Sequence, residues 1–389
     1  MEFSILKQDL IKPLTMAASI AMSAKGTKTY FQNVLLKLSE DDGLTMICVN
    51  NESEMKVTIP LEKLQVVSYG EISVVAKNFQ EICKLDLVRK RKSGSEEDRI
   101  FFSFNESSGK VQVKRFTNIY EINTLPANSF PQNVSCTYEC EFDLTEGELK
   151  DIIKTTQFSM AEGDSRIFLN GLFMHLKGNE LFCIATDSHR LALNKFILLD
   201  RESDYSSVDF KVIIGRTGIQ EINKLISSCD NPIHISMSRT KIKFESNDFC
   251  FVTSLIEGDY PDHNRLFPRE DSFKGRLTVN CEDLKNAVKA VTVLGGSSDE
   301  KMILNASEDK VFLNLKNSSH ESAEVFIENV QYQGVASRIG LNPRFLLNIL
   351  DNIGCKSITL SFNDSASVID LNEKNNYCEM RFIVMLVVI

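Results

Sequence analysis

Apolar residues recur along this chain in one pattern that occurs three times. "FSILKQDLIKPL" (3–14), "FDLTEGELKDII" (142–153) and "LTVNCEDLKNAV" (277–288) each place apolar residues first and third, a leucine eighth and an aliphatic residue twelfth. Each opens with period-two alternation (Phe3/Ile5, Phe142/Leu144, Leu277/Val279) and changes to helical spacing (Leu10/Leu14, Leu149/Ile153, Leu284/Val288). The spacing predicts a strand leading into an amphipathic helix. Thr145 and Asn280 stand where an N-cap belongs, with Glu148 and Asp283 three residues on. Pro13 lies deep in the first helix, which is therefore expected to start late or bend.

A second set follows in the same order. "ISVVAKNFQEICKL", "FKVIIGRTGIQEINKLI" and "SRIGLNPRFLLNIL" each read as a short strand, a break and a second helix, with Phe79, Ile219 and Phe345 as anchors. Alternating runs come after each: 100–104 and 111–122; 233–237 and 242–251; 358–362, 368–371 and 380–384. Segments such as "NESSGK", "SRTK" and "NDSAS" have the composition of turns between them. The chain is thus predicted to be α+β: three tandem similar domains, each with two helices and many antiparallel strands. Proline, glycine and polar residues cluster at 126–135 and 259–275, which sets the domains at 1–130, 136–265 and 270–389. Tandem copies stack into an arc that turns one repeated face inward.

Composition narrows the class. With 43% hydrophobic and 25% charged residues, the chain has the make-up of a soluble globular protein rather than a disordered or fibrous one. Its longest purely apolar run, 382–389, is far short of the ~20 residues that span a bilayer as a helix. The opening "MEFSILKQDL" lacks the marks of a secretory signal, so a cytoplasmic protein with reduced cysteines is expected. The closest cysteines, Cys136 and Cys140, lack a second pair or a nearby histidine, and no metal site is expected. "RKRKSGSEED" (89–98) reads as a solvated loop between a helix and a strand.

A net charge of -9 argues against a protein coated all over by nucleic acid, yet leaves room for a local basic face. Lys150/Lys154 and Lys285/Lys289 are four apart on the first helices of the second and third repeats. The first repeat has Lys12, with Lys25 and Lys28 beyond; second helices add Lys77, Lys84, Arg216, Lys224 and Arg344. Any one pair reads as a solvated helix face; recurrence at matching places suits a surface that follows phosphates without reading bases.

The tetrad Asp187–Ser188–His189–Arg190 in "CIATDSHRLAL" admits a hydrolase reading and a turn reading. Consecutive side chains point apart and do not make a triad. Neither G-x-S-x-G nor a phosphate-binding G-x-x-x-x-G-K-[ST] occurs. No catalytic residue, cofactor or nucleotide site is expected. As a turn, Asp187 and Ser188 reverse the chain while His189 and Arg190 pair locally.

"LIKPL", "TTQFSMAEGDSRIFLNGL", "ATDSHRLAL", "GDYPDHNRLFP", "GLNPRFLLNIL" and "FIVML" stand in this order over the whole length. In these motifs the chain resembles the bacterial sliding clamp family, the beta subunit of the DNA polymerase III holoenzyme. The resemblance implies a DNA clamp fold, with helices on one side and sheets outside. Each chain would form half of a ring, closed as a head-to-tail homodimer. It implies a non-catalytic processivity factor that encircles double-stranded DNA without sequence preference. DNA-facing residues would be Lys12, Lys25, Lys28, Lys77, Lys150, Lys154, Arg216, Lys224, Lys285 and Lys289. Short linear motifs of the polymerase catalytic subunit, the clamp loader and other replication and repair proteins would enter a hydrophobic cleft.

By the same resemblance the cleft comprises Leu169, Thr186, His189, Arg190, Leu191, Pro261, Arg265, Leu266, Asn342, Phe345, Ser367, Val384, Met385 and Leu386. Aliphatic and methionine side chains suit an apolar floor, and Arg190, Arg265 and Asn342 suit a rim that holds peptide amides and carbonyls. Ser188 stands where clamps usually have glycine, Leu386 where many have proline, and the end Val388-Ile389 lacks the basic residue often found there. A hydrolase using Ser188 or His189, and a clamp-like scaffold that does not encircle DNA, are the alternatives.

Overall fold

The computed structural model describes residues 1–23, 29–85, 98–131, 136–198, 205–262, 265–295, 301–371 and 378–389. Six α-helices occur among them: α1 (Lys7–Ser23), α2 (Ala76–Lys84), α3 (Glu146–Thr156), α4 (Arg216–Leu225), α5 (Cys281–Val291) and α6 (Pro343–Asn352). Five begin directly where a strand ends, and only Asn342 separates α6 from its strand. Leu10, Leu14, Leu149, Ile153, Leu284 and Val288 are all buried, so the spacing in the sequence marked the core-facing stripe of each first helix. Asn280 caps α5, its Oδ1 accepting from the amides of Glu282 (2.9 Å) and Asp283 (3.3 Å).

α1 does not start late. It opens at Lys7 and runs through Pro13. The missing amide at Pro13 leaves the Asp9 carbonyl without its helical donor, at a cost of roughly 3 kcal/mol in a helix interior. Burial of Leu10, Leu14, Ala17, Ala18 and Ile20 along the same helix outweighs that loss.

The runs 111–122 and 242–251, each read as continuous, fold as hairpins: Lys110–Arg115 with Asn118–Leu125, and Lys241–Glu245 with Cys250–Ser254. The first turns at Phe116, whose φ of 53° is one that side-chain-bearing residues seldom adopt, which is why no turn signature marked it. The recognised turn segments behave as read; Asn363 Oδ1, for example, accepts from the amides of Ser365 and Ala366, both at 2.9 Å.

Two compact units emerge, residues 1–147 with 220–255 and residues 148–219 with 256–389. They share out the middle repeat, because main-chain ladders join successive repeats. In the first unit a thirteen-stranded sheet passes from the second repeat into the first where Cys250–Ser254 pairs with Ser53–Ile59. The Ser53 hydroxyl bonds that of Thr253 across the seam at 3.0 Å, and both residues are buried. In the second unit a nine-stranded sheet passes from the second repeat into the third where Arg190–Ile197 pairs with Cys378–Met385. A four-stranded sheet (Ser322–Phe326, Val311–Lys316, Met302–Ala306, Ser337–Leu341) completes that unit.

The nine-stranded sheet is covered on both faces. Phe173, Leu191, Ile213, Val368 and Ile383 belong to one apolar cluster, and Ala192, Leu277, Leu346, Phe382 and Val384 to another. Phe382, Ile383 and Val384 are therefore all buried, where a one-sided strand would bury alternate residues. Exposure begins at Met385 and reaches 89% at Val388.

Of the segment 89–98 only Asp98 is described. It binds Arg115, a guanidinium 2% exposed, with Nε to Oδ1 at 2.7 Å. Arg115 also donates to the carbonyls of Cys83 and Leu85, so this buried charge is matched on several sides.

Candidate functional site

The tetrad 187–190 is the tip between strands Glu180–Thr186 and Arg190–Ile197. Asp187 Oδ1 accepts from the amides of His189 and Arg190, both at 3.0 Å, and Oδ2 accepts from Arg190 Nε at 3.0 Å. Thr186 Oγ1 donates to the Arg190 carbonyl (2.7 Å) and accepts from the Ser188 amide (3.1 Å). The turn reading is thus correct, with Asp187 as the partner of Arg190. Asp187 meets His189 through its amide, whereas a catalytic dyad requires the imidazole.

Arg190 is held between two rings, its guanidinium carbon 4.7 Å from the centroid of Phe345 and 5.6 Å from that of Phe158. The His189 ring stacks on Phe345, with centroids 6.1 Å apart and planes 22° apart. Burial draws the Arg190 pKa down; Asp187 opposes this, and the like charges of Arg344 and Arg216 add to the lowering. It stays a cation, since guanidinium does not deprotonate in proteins. Its Nη1 is buried without a hydrogen-bond partner among the described residues. A buried donor in this state gains from any acceptor brought to it.

The remaining residues of the expected cleft divide by layer. Leu169, Thr186, Leu191, Ser367 and Val384 are buried and form the support. Arg190, Pro261, Asn342, Phe345 and Leu386 are half-buried, and His189, Arg265, Leu266 and Met385 are exposed. They also divide by face. Arg190 and Ser367 both sit opposite Val384, whereas Thr186 and Leu191 pair in the next row, with side chains on the other side. Both groups lie at the same end of the sheet. There the Met385 amide donates to the His189 carbonyl (2.8 Å), and the Val387 amide donates to the Gly340 carbonyl (2.9 Å).

Two of the expected rim residues have local partners. Asn342 Oδ1 serves as the N-cap of α6, accepting from the Arg344 amide at 2.9 Å. Arg265 pairs with Asp262 (3.3 Å) and is 86% exposed, which leaves it a weak, solvated ion pair.

Models of the DNA polymerase III beta subunit match the chain in three consecutive pieces: the N-terminal domain over residues 1–135, the central domain over 143–262 and the C-terminal domain over 264–385. The chain belongs to this family. The beta sliding clamp of Vibrio cholerae is 28% identical over 365 residues, covering 94% of each chain. That of Escherichia coli is 28% identical over 373 residues, covering 96% of each. The crystal structure of the sliding clamp from Pseudomonas aeruginosa bound to griselimycin superposes over 100% of both chains, with a TM-score of 0.89 and 27% identity. As a member of the beta sliding clamp family, this protein is a DNA polymerase processivity factor, and the hydrolase reading of Ser188 and His189 has no support.

Within the clamp, residues missed at the sequence level are Phe158, the second ring on Arg190, and Asp187, its ion-pair partner. Phe158 lies in "TTQFSMAEG", where nothing local separates it from a core phenylalanine. Phe345 stands in the third repeat where Phe79 and Ile219 stand in the others, but Leu346, one residue later, is the fully buried one, and Phe345 is half-buried beside Arg190. Ser188 has φ 73°, a left-handed conformation that glycine adopts without a Cβ penalty.

The clamp's expected DNA-facing cations are mostly paired. Lys12 binds Asp248 at 2.7 Å, which raises its pKa, and Lys77 faces Glu81 at 3.9 Å. Lys224 binds Glu221 at 2.8 Å, and Lys285 binds Asp351 at 2.9 Å. Arg216 donates to the Met160 carbonyl (2.9 Å) and approaches Glu162 (3.5 Å). Lys150 is half-buried. Lys154 and Lys289, matching positions of α3 and α5, are exposed, with no ion pair among the described residues. Lys25 and Lys28 lie outside the described residues.

Proposed function

We propose that two copies of this chain pair head to tail as a ring around duplex DNA, each contributing domains 1–130, 136–265 and 270–389. The protein acts without chemistry of its own, in the cytoplasm, as a tether for the polymerase catalytic subunit. What supports the ring most is a pair of unlike, open strand edges. Among the described residues, strand Asn118–Leu125 pairs with Gly70–Val75 only through Thr124 and Leu125, leaving the edge at 118–123 open beside exposed Ile119 and Leu85. Strand Ser322–Phe326 ends its sheet, with exposed Phe326, Val293 and Leu294. Unlike patches make a heterologous contact, which closes when its rotation divides the circle, and open apolar edges left uncovered are prone to aggregate.

Lys154 and Lys289 supply screened, hydrated phosphate contacts that let the ring slide. The surface of His189, Arg190, Phe345 and Met385 takes short linear motifs of the polymerase, the clamp loader and repair proteins. A peptide lying across the end of the sheet reaches both groups of side chains, and an acceptor on it meets Arg190 Nη1. Loading needs a separate protein to open the ring.

Gel filtration and retention on nicked circular against linear DNA test the reading. A dimer retained only on circles is expected, and Phe326→Asp should yield monomers that are not retained. A wild-type monomer held equally by both DNA forms would overturn it in favour of a scaffold that does not encircle DNA.

A further inference from the structure

In the third repeat the sulfurs of Cys281 and Cys355 lie 3.2 Å apart, in hydrogen-bond contact and not joined as a disulfide. A disulfide is about 2.05 Å long, so closure asks for a shift of only about 1 Å, shared between two side chains. The main chain already holds the two segments together: Asn280 pairs with Ser357, and the Cys281 amide donates to the Lys356 carbonyl at 2.8 Å. Cys281 is the buried first residue of α5; Cys355 is half-exposed just after α6, beside Gly354, around whose α-carbon there is open space.

We infer that Cys281 and Cys355 form a redox couple, closing to an intramolecular disulfide by exchange with a low-molecular-weight disulfide such as oxidised glutathione. The Cys355 thiolate, the accessible one, attacks one sulfur of the reagent, forms a mixed disulfide and expels one thiolate. The Cys281 thiolate then attacks the Cys355 sulfur and expels the second. Two protons leave the protein thiols and end on two reagent thiols; the protein loses two electrons and the reagent gains them.

Burial sets six of the other eight cysteines apart, and the 3.2 Å separation distinguishes Cys281 and Cys355. The Cys83 thiol is pushed up to about 12 by burial, Cys140, Cys250 and Cys378 to about 11, and Cys48 and Cys183 further still. These six are poor nucleophiles at neutral pH. The bond joins residues 74 apart in sequence and ties the start of α5 to the end of α6, which Lys285–Asp351 already bridges. It removes freedom from the unfolded chain and should raise the melting temperature reversibly.

The full chain is incubated with oxidised glutathione, alkylated and mapped by mass spectrometry. Wild type should show a 281–355 linkage that dithiothreitol reverses. Cys281→Ser, lacking the resolving thiol, should accumulate glutathione on Cys355 at least ten-fold above wild type, and Cys355→Ser should show neither product. Equal mixed disulfide in wild type and Cys281→Ser, or a principal linkage between other cysteines, would overturn the couple. Circular dichroism of both variants confirms that they are folded when compared.

Discussion

Arg190 faces Phe345 at 4.7 Å from guanidinium carbon to ring centroid while Asp187 holds its Nε at 3.0 Å, so one cation is fixed from two directions and still keeps a buried Nη1 with no hydrogen-bond partner among the described residues. Leaving that donor unsatisfied is a cost to the fold that an acceptor brought by a ligand would relieve. Arg190→Ala should weaken a peptide with leucine and aromatic anchors about ten- to thirty-fold, roughly 1.4–2 kcal/mol. Stability should fall by only about 1 kcal/mol, the scale of the lost ring contacts. Calorimetry and urea unfolding, run side by side, separate the two; equal losses would mean a structural role alone.

Ser188 at φ 73° is strained, and the hairpin tip requires that conformation. Ser188→Gly should stabilise the protein by about 0.5–1 kcal/mol, the left-handed penalty of an L-residue less glycine's extra chain entropy. Ser188→Val should destabilise it by about 1–2 kcal/mol. Chemical denaturation midpoints at unchanged m-value report both.

Gly340 has no room for a side chain, since a Cβ there would stand 2.4 Å from the Val387 carbonyl oxygen and 3.2 Å from Ile389 Cγ1. Gly340→Ala should push the terminal segment off the sheet, costing about 1–3 kcal/mol. Because Met385 and Leu386 precede that segment, peptide affinity should fall as well, and proteolysis at the C-terminus should quicken.

Asp164 organises the loop that ends at Leu169 and Asn170: its amide donates to Asn170 Oδ1 (2.9 Å), and its carboxylate takes Arg166 Nε (3.0 Å) and Nη2 (2.8 Å). The Arg166 hydrogen bonds hold its pKa down at about 2, against an ordinary 3.8. A lowered folded value means the contribution is whole above about pH 4 and fades as pH falls toward 2. Carboxyl NMR titration should find this, and Arg166→Ala should return Asp164 toward its ordinary value.

Lys154 and Lys289 are exposed cations at matching helix positions, with no ion pair among the described residues. Replacing both by glutamate should weaken DNA retention and flatten its dependence on salt by about 0.9 log units per lost contact and log unit of salt. Substituting Lys12, already bound to Asp248, should do less. Equal effects from all three would place the DNA contacts elsewhere.

Much of the fold was legible because it is local. The six strand-to-helix passages, the buried stripes and the Asn280 cap depend on residues within a turn or two of each other. The hairpin at Phe116 was hidden because its turn residue carries no glycine or asparagine signature, and the route of α1 through Pro13 because burial elsewhere on the helix decided it. At the site, motif resemblance pointed to Arg190, His189 and Phe345, but Phe158 resembled any other core aromatic.

The sequence by itself determined three strand–helix repeats, their order and the polar turn at 187–190, since periodicity and capping are near-neighbour effects. Only the tertiary structure decided that sheets run unbroken from one repeat into the next, that Asp248 neutralises Lys12, and that Phe158 and Phe345 close on Arg190. It also decided that two cysteines 74 residues apart come within 3.2 Å. Those outcomes rest on contacts between distant parts of the chain, whose partners no local pattern encodes.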